Sequence, residues 1–315
     1  MMRRFDPDDM IVEWLTDDAG VFFRRSRTIE STRTQYQQLE VIDTTALGTL
    51  FRLDGSNMTS ERDEFFYHEN IVHPGVIAQD DPRSALVIGG GDGGAIEELL
   101  KHPSMQRVVM AELDPDVIRM AREHLHEVHR GALDDPRVEI RIVDALDYVT
   151  TCREQFDAII MDLTDPVGPA AALYTQSFYA QLDRILTPTG TLALHVGAPF
   201  FHRGRFVESI GRLSAVFPIV RPYFVHVPLY GANWGMACVS RQTDALALSA
   251  DEVGRRLHHR GICDLRFYNE DVHRALFAQP NYIRELIDSI RVWGAWPRAG
   301  GPIPTDQRPT AVPAP

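Results

Sequence analysis

Ser84 to Gly94 reads SALVIGGGDGG: an apolar run that ends in a block of six residues in which Asp92 alone is not glycine. The apolar run predicts a buried strand over Ala85 to Ile88. The residues that follow predict a helix over Ala95 to Lys101. A glycine turn between strand and helix lets a ligand approach backbone amides at the helix terminus, as nucleotide-binding α/β units do. The fold class therefore starts from a parallel, doubly wound sheet.

The rhythm continues downstream. Apolar strands are predicted at Val108 to Glu112, Val138 to Val143, Ala158 to Met161 and Leu192 to Val196, with helices at Pro115 to Leu125 and Ser177 to Leu186 between them. Val220 to Val227 and Met236 to Val239 can close the sheet as an antiparallel pair, and Ala250 to His259 reads as a helix. Upstream, the short alternating runs Gln37 to Val41 and Thr49 to Leu53, with the turn Asp54-Gly55-Ser56, predict a small antiparallel β domain. The expected organisation is an N-terminal β domain over 1–79, a Rossmann-like catalytic domain of the methyltransferase type over 80–296, and a flexible Pro-, Gly- and Thr-rich tail over 297–315.

The 315 residues are 44% hydrophobic and 24% charged, a globular composition, and no stretch approaches the roughly 18 apolar residues of a membrane helix. A cytoplasmic protein is expected. Cys152, Cys238 and Cys263 lie far apart, without the paired spacing of a zinc or redox site. A formal net charge of -12 opposes nucleic acid and favours cationic partners, although solubility alone accounts for it equally well.

Acidic residues at predicted strand ends carry the chemistry. Glu112 lies 20 positions after Asp92, where an acid commonly holds the hydroxyls of a ribose, and Asp144 can accept from an adenine amino group. Asp92 restricts the ligand further. A phosphate or carboxylate about 4 Å away would be repelled by about 4 kcal/mol at an effective dielectric of 20, more than a helix terminus returns. NAD, ATP and S-adenosylmethionine fit poorly, whereas a nucleoside with a free amine fits well. The alternative is that Asp92 caps the helix after it.

Asp162-Leu163-Thr164-Asp165-Pro166 ends the fourth strand, so both carboxylates fall on the ligand-binding edge. A primary amine with a pKa near 10.4 is almost wholly protonated at pH 7, and only its neutral form has a lone pair to attack carbon. A carboxylate there can hold the ammonium, accept its proton and align the nitrogen, and a sulfonium donor leaves as a neutral thioether. Asp162 is the base on this reading, and Asp165 holds the acceptor. The alternative is turn chemistry, with Asp165 capping the turn and Asp162 satisfying loop amides.

With these residues in place, the chain resembles the spermidine synthase family of aminopropyltransferases. The resemblance is carried by GGGDGG (Gly89 to Gly94), ERDEFFYHE (Glu61 to Glu69), DLTDPVGP (Asp162 to Pro169), Tyr36-Gln37, VPLYGANWG (Val227 to Gly235) and LRFYNEDVHRALF (Leu265 to Phe277). It implies transfer of the aminopropyl group of decarboxylated S-adenosylmethionine, a co-substrate rather than a prosthetic group, to a polyamine such as putrescine, giving spermidine and 5'-methylthioadenosine. It further implies that Gln37, His68, Asp92, Glu112, Asp144, Ala145 and Pro169 surround the donor. Asp162 corresponds to the family's proton acceptor. Tyr67 and Tyr230 line the acceptor site, Trp14 walls the same groove, and a gatekeeping segment over Thr164 to Tyr174 orders when ligands bind. A homodimer or homotetramer is implied, with the N-terminal domain as the contact.

The chain departs from the family where many members carry Gln-Gly-Glu after the fifth strand: here Val196-Gly197-Ala198 lacks the acid. Spermidine, cadaverine and agmatine therefore stay open as acceptors. A methyltransferase on the same sheet and an idle polyamine-binding protein are the competing classes. No metal is expected, because His124, His126 and His129 do not share a helical face and no nearby acid completes a set. His195 reads either as a lining residue or as a core histidine satisfied by backbone.

Overall fold

The computed structural model describes residues 9–166 and 168–292, so the stretch 297–315 lies outside the described residues. Among them, β1 (Met10–Trp14), β2 (Gly20–Arg33), β3 (Gln38–Thr44), β4 (Gly48–Leu53) and β5 (Ser56–Ser60) form an antiparallel sheet in sequential order. The β4–β5 hairpin turns through Asp54 and Gly55, both at positive φ (47° and 85°), as a two-residue loop between twisted strands requires. In β3 the alternation is explicit: Leu39 and Val41 are fully buried while Glu40 between them is only half-buried.

Helix α1 (Glu64–Ile77) follows, and every residue in it except Phe66 is buried. A helix covered on all sides shows no apolar stripe. It packs against the larger sheet and against α2 (Gly94–Leu100).

The larger sheet contains β6 (Ser84–Gly89), β7 (Arg107–Glu112), β8 (Val138–Ile142), β9 (Phe156–Asp162), β10 (Leu186–Gly197), β11 (Ile219–Val227) and β12 (Ala232–Ser240), in the order β11-β12-β10-β9-β6-β7-β8. The strands β8, β7, β6, β9 and β10 run parallel, and β12 and β11 add an antiparallel pair beside β10. Ala85 and Val87 enter one hydrophobic cluster, while Leu86 and Ile88 enter the other. Burial on both faces is why β6 reads as an unbroken apolar run.

Helices α3 (Pro115–His124), α4 (His126–His129), α5 (Ala145–Thr151), α6 (Gln176–Ile185), α7 (Arg203–Ser214), α8 (Ala250–His259), α9 (Glu270–Leu276) and α10 (Asn281–Val292) complete the chain. From β6 the chain moves outward through β7 and β8, then returns to β9 on the other side of β6. Strand order thus reverses between β6 and β9, the position at which open α/β sheets leave a crevice beyond their carboxyl ends. The register pairs Gly89 with Asp162 there, bringing the glycine loop and the second acidic cluster together.

Among the described residues no helix is long and apolar enough to cross a membrane.

Candidate active site

The loop after β6 is shaped by the side chains that press on it. A Cβ on Gly94 would collide with the imidazole of His68, and one on Gly90, where φ is +64°, would lie 3.0 Å from Asp162 Oδ2. Glycine is needed here so that α1 and β9 can deliver His68 and Asp162 to the same point.

At that point His68 Nε2 lies 3.6 Å from Asp92 Oδ2 and 4.0 Å from Asp162 Oδ2, while Nδ1 meets Glu64 Oε2 at 3.0 Å. Burial opposes a charge on His68, but Asp92 and Glu64 outweigh it and hold the imidazole well above its usual range, as imidazolium. Asp92 follows the complementary course: burial raises it, while His68 and the Gly94 amide, which donates to Oδ1 at 3.0 Å, hold it below the ordinary carboxylate range. Asp92 thus accepts from the first amide of α2, while Gly93 occupies the cap position.

Asp162 is the opposite case. Burial first, then the charge of Asp92, push its carboxyl up to about 7 against the pull of His68 and the Tyr67 hydroxyl. Its Oδ2 is shielded from solvent and has no hydrogen-bond partner among the described residues. A carboxylate kept this way receives a proton near neutral pH, the property a general base requires.

On one side of this pair lie the residues expected around the donor. Glu112 is buried at the end of β7 and pushed up to about 7 by burial and by the charges of Asp114 and Asp92, opposed by the amides of Asp114 and Leu113. Gln37 reaches the same corner by donating to Asp114 Oδ2 at 3.3 Å, beside the Thr34 hydroxyl at 2.7 Å. Asp144 caps α5 by accepting from Leu146 N–H at 2.7 Å and stands exposed, with Ala145 buried behind it. The side chain of Pro169 lies outside what the structure describes; its backbone belongs to a 3-10 helix over Gly168–Tyr174.

On the other side is an aromatic wall. Tyr67 and Tyr230 meet edge to face with centroids 6.0 Å apart, Tyr230 lies 4.8 Å from Trp234, Trp234 5.8 Å from His195, and His195 5.7 Å from Tyr174. Burial first and Asp162 next raise both Tyr67 and Tyr230 well above the usual phenol range, so both stay protonated. The Tyr230 hydroxyl donates to the Met58 carbonyl at 2.7 Å. His195 Nε2 lies 2.7 Å from the Tyr174 hydroxyl and 3.0 Å from the Leu163 carbonyl, the backbone satisfaction expected of a core histidine, yet the ring also forms part of the wall.

Trp14 is not placed in this wall. Strand alternation in β1 turns Ile11 and Glu13 inward and Val12 and Trp14 outward, leaving Trp14 68% exposed. Glu13 takes the inward position: burial pushes its carboxyl up to about 7, Asp165 adds to the rise, and the Asn57 amide and Arg52 oppose it. Trp234, from β12, supplies the large indole instead. Asp165, read from the sequence as holding the acceptor, stands 2.6 Å from Arg205 of α7.

Other groups were not visible in the sequence. Glu64 is spaced one turn from His68, the only local signal available, and ties it to Arg130 at 2.8 Å. His129 packs beside Gly93 and contributes to holding Asp92 low. His126 and His129 lie with ring centroids 5.1 Å apart in α4 while His124 ends α3, and an acid does reach His124. Glu30 of β2 lies 2.7 Å from it, and the Arg119 guanidinium already bridges Glu30 and Glu123. Among the described residues, Glu30, Glu123 and His124 have metal-ligand spacing, as do His68, Asp92 and Asp162 themselves.

The motif ERDEFFYHE is mostly wiring. The Asp63 carboxylate accepts from Ser60 Oγ at 2.5 Å and from Leu229 N–H at 2.7 Å. The Glu69 carboxylate accepts from the N–H groups of Arg266, Phe267 and Tyr268 at 2.7 to 2.8 Å. Both late motifs are thereby pinned to α1.

Comparison with known proteins agrees with this geometry. A family model described as the Spermine/spermidine synthase domain matches residues 64–249. The polyamine aminopropyltransferase of Nitrosomonas europaea is 45% identical over 89% of this chain and 86% of its own length. Polyamine aminopropyltransferase 2 of Hyperthermus butylicus is 34% identical over 98% of both chains. Among solved structures, a spermidine synthase in complex with the transition-state analogue AdoDATO superposes with a TM-score of 0.84 at 34% identity, covering 92% of this chain and 99% of that one. The spermidine synthase of Thermotoga maritima gives 0.81 at 33% identity, over 91% and 98%.

Proposed function

This chain belongs to the spermine/spermidine synthase family of aminopropyltransferases, and from that premise we propose that it transfers the aminopropyl group of decarboxylated S-adenosylmethionine to putrescine, releasing spermidine and 5'-methylthioadenosine. The observation that carries the reading is Asp162: a shielded carboxylate with an unpartnered oxygen, pushed up to about 7, at the strand-order reversal beside Asp92 and the tyrosine wall.

Asp162 takes a proton from the acceptor ammonium. The freed lone pair attacks the aminopropyl carbon bound to sulfur, the C–N bond forms as the C–S bond breaks, and the sulfonium leaves as a neutral thioether. No acid is needed for that departure. Asp92 receives the amine of the donor, an arrangement a carboxylate-bearing donor would disrupt. Glu112 holds the ribose hydroxyls and Asp144 the adenine amino group, with Gln37, His68, Ala145 and Pro169 around them. Tyr67 and Tyr230 orient the acceptor chain, and Asp165 lies toward its far end. The segment over Thr164 to Tyr174 closes on bound ligands. A cytoplasmic homodimer or homotetramer is the setting this reading carries.

Mass spectrometry of products tests it, with decarboxylated donor and putrescine, cadaverine, agmatine and spermidine offered separately. Methylthioadenosine and spermidine formed fastest from putrescine is the expected outcome. A faster reaction with another amine moves the acceptor assignment, and no methylthioadenosine from any of them removes the proposal.

A further inference from the structure

Among the described residues, Asp165 differs from Asp92 and Asp162 in standing against a guanidinium. Arg205 Nη1 stands 2.6 Å from Asp165 Oδ1, and both atoms are shielded from solvent with no other hydrogen-bond partner among the described residues. The arginine is seated on purpose-shaped backbone. Gly197, at φ +78°, leaves the space its stem crosses, where an added Cβ would come within 3.1 Å of Arg205 Cδ and 3.7 Å of His202 Nδ1. His202 is itself fixed, its Nε2 lying 2.9 Å from the Leu15 carbonyl just past β1.

Arg205 also occupies the first turn of α7, where the helix dipole disfavours a cation. Its position there is offset by Asp165. The pair lies beside Asp162: Asp165 follows it by three residues past the end of β9, and Gly197, beside Arg205, ends the neighbouring strand β10.

We propose that Arg205 is a specificity-determining residue, a resident cation that occupies Asp165 so that a second acceptor ammonium can use this carboxylate only by displacing it. This rests on the polyamine reading above. Its consequence is discrimination by charge number. A diamine brings one ammonium beyond its reacting nitrogen and a triamine brings two, so the triamine loses more by meeting an end wall that is already neutralised.

Calorimetric titration of the full chain saturated with 5'-methylthioadenosine, using putrescine and spermidine, measures this without turnover. Arg205→Gln is expected to raise the affinity ratio of spermidine over putrescine about tenfold, the order of one partly screened charge contact. Arg205→Lys, which keeps the charge, leaves the ratio within about twofold. In Arg205→Gln/Asp165→Asn the gain disappears. An unchanged ratio in Arg205→Gln, or a gain that persists in the double variant, overturns the proposal. Asp165→Asn alone gives an independent answer: with Arg205 resident it costs less than about threefold in acceptor affinity, and a loss above about tenfold means Asp165 was open to the acceptor all along. Failure of methylthioadenosine and of both amines to bind the unmodified protein counts against the functional reading instead.

Discussion

Glu69 and Asp162 are both acids withdrawn from water, and they are treated in opposite ways. Glu69 is surrounded by donors, three backbone amides converging on its two oxygens. Burial raises it and those amides oppose the rise. Asp162 has an oxygen with no hydrogen-bond partner among the described residues, and the charge of Asp92 adds to the effect of burial. The difference separates structure from function within one residue type. A saturated carboxylate holds elements together, and an unsaturated one is held ready for a cation supplied from outside. The first kind costs little to keep, while the second destabilises the empty protein until a ligand arrives.

Breaking the unsaturated member should have the largest effect. Asp162→Asn is expected to lower kcat/KM at pH 7 by about 100- to 10,000-fold, the usual range for a general base, with partial recovery as pH rises and neutral amine becomes abundant. Release of methylthioadenosine reads this, and turnover near the unmodified rate at pH 7 removes Asp162 from the role. Asp92→Asn comes next, with decarboxylated donor bound about 10- to 100-fold more weakly by calorimetry, since one charge contact near a helix terminus is lost. Unchanged donor affinity would place the donor amine elsewhere.

Glu69→Ala sharpens the other half of the comparison. Three amides lose their acceptor, so stability in a chemical-denaturation series should fall by roughly 2 to 4 kcal/mol while turnover of the folded fraction stays close to normal.

Asp162 also predicts a pH dependence with a definite sign. Its folded-state value, about 7, lies above the ordinary aspartate value, so the native state binds a proton that the unfolded chain releases. Its contribution to stability therefore declines as pH rises from about 4 to about 7 and is level above that. Asp162→Asn should flatten this part of a melting-temperature profile and stabilise the empty protein at pH 8 by roughly 2 to 4 kcal/mol at most. A profile with the same slope in the variant contradicts the assigned shift. The smallest effect belongs to Trp14→Ala, within about 0.5 kcal/mol in stability and about twofold in KM, because the indole faces solvent.

The same contrast between local and assembled information governs what the sequence revealed. The strands β6, β7 and β9 are legible because burial on both faces makes them mostly apolar, β10 is legible only from Leu192 because its first half carries Thr187, Thr189 and Thr191, and α8 is legible to its ends because Ser249 caps it and its apolar positions keep helical spacing. Helix α1 escaped, since a helix buried all round and carrying His68, Glu69, Asn70 and His73 has no periodic stripe. Strand β2 escaped because its 14 residues are half-exposed and rich in Arg, Ser and Thr.

In the site, Asp92 and Asp162 sit next to glycine turns and strand ends, so their chemistry is written locally. Glu13, Trp234 and Arg205 reach the crevice from other elements, and no spacing along the chain announces them. Trp14 shows the cost of not knowing strand phase: one position in β1 separates the groove from solvent.

On this reading the crevice is anionic because both molecules entering it are cationic. Parallel calorimetric titration with decarboxylated S-adenosylmethionine and with S-adenosylmethionine, which differ by one carboxylate, tests this most directly. The account predicts at least about 100-fold tighter binding of the decarboxylated form, well within the repulsion of about 4 kcal/mol expected at 4 Å. Equal affinity, or preference for the carboxylate-bearing form, would contradict it.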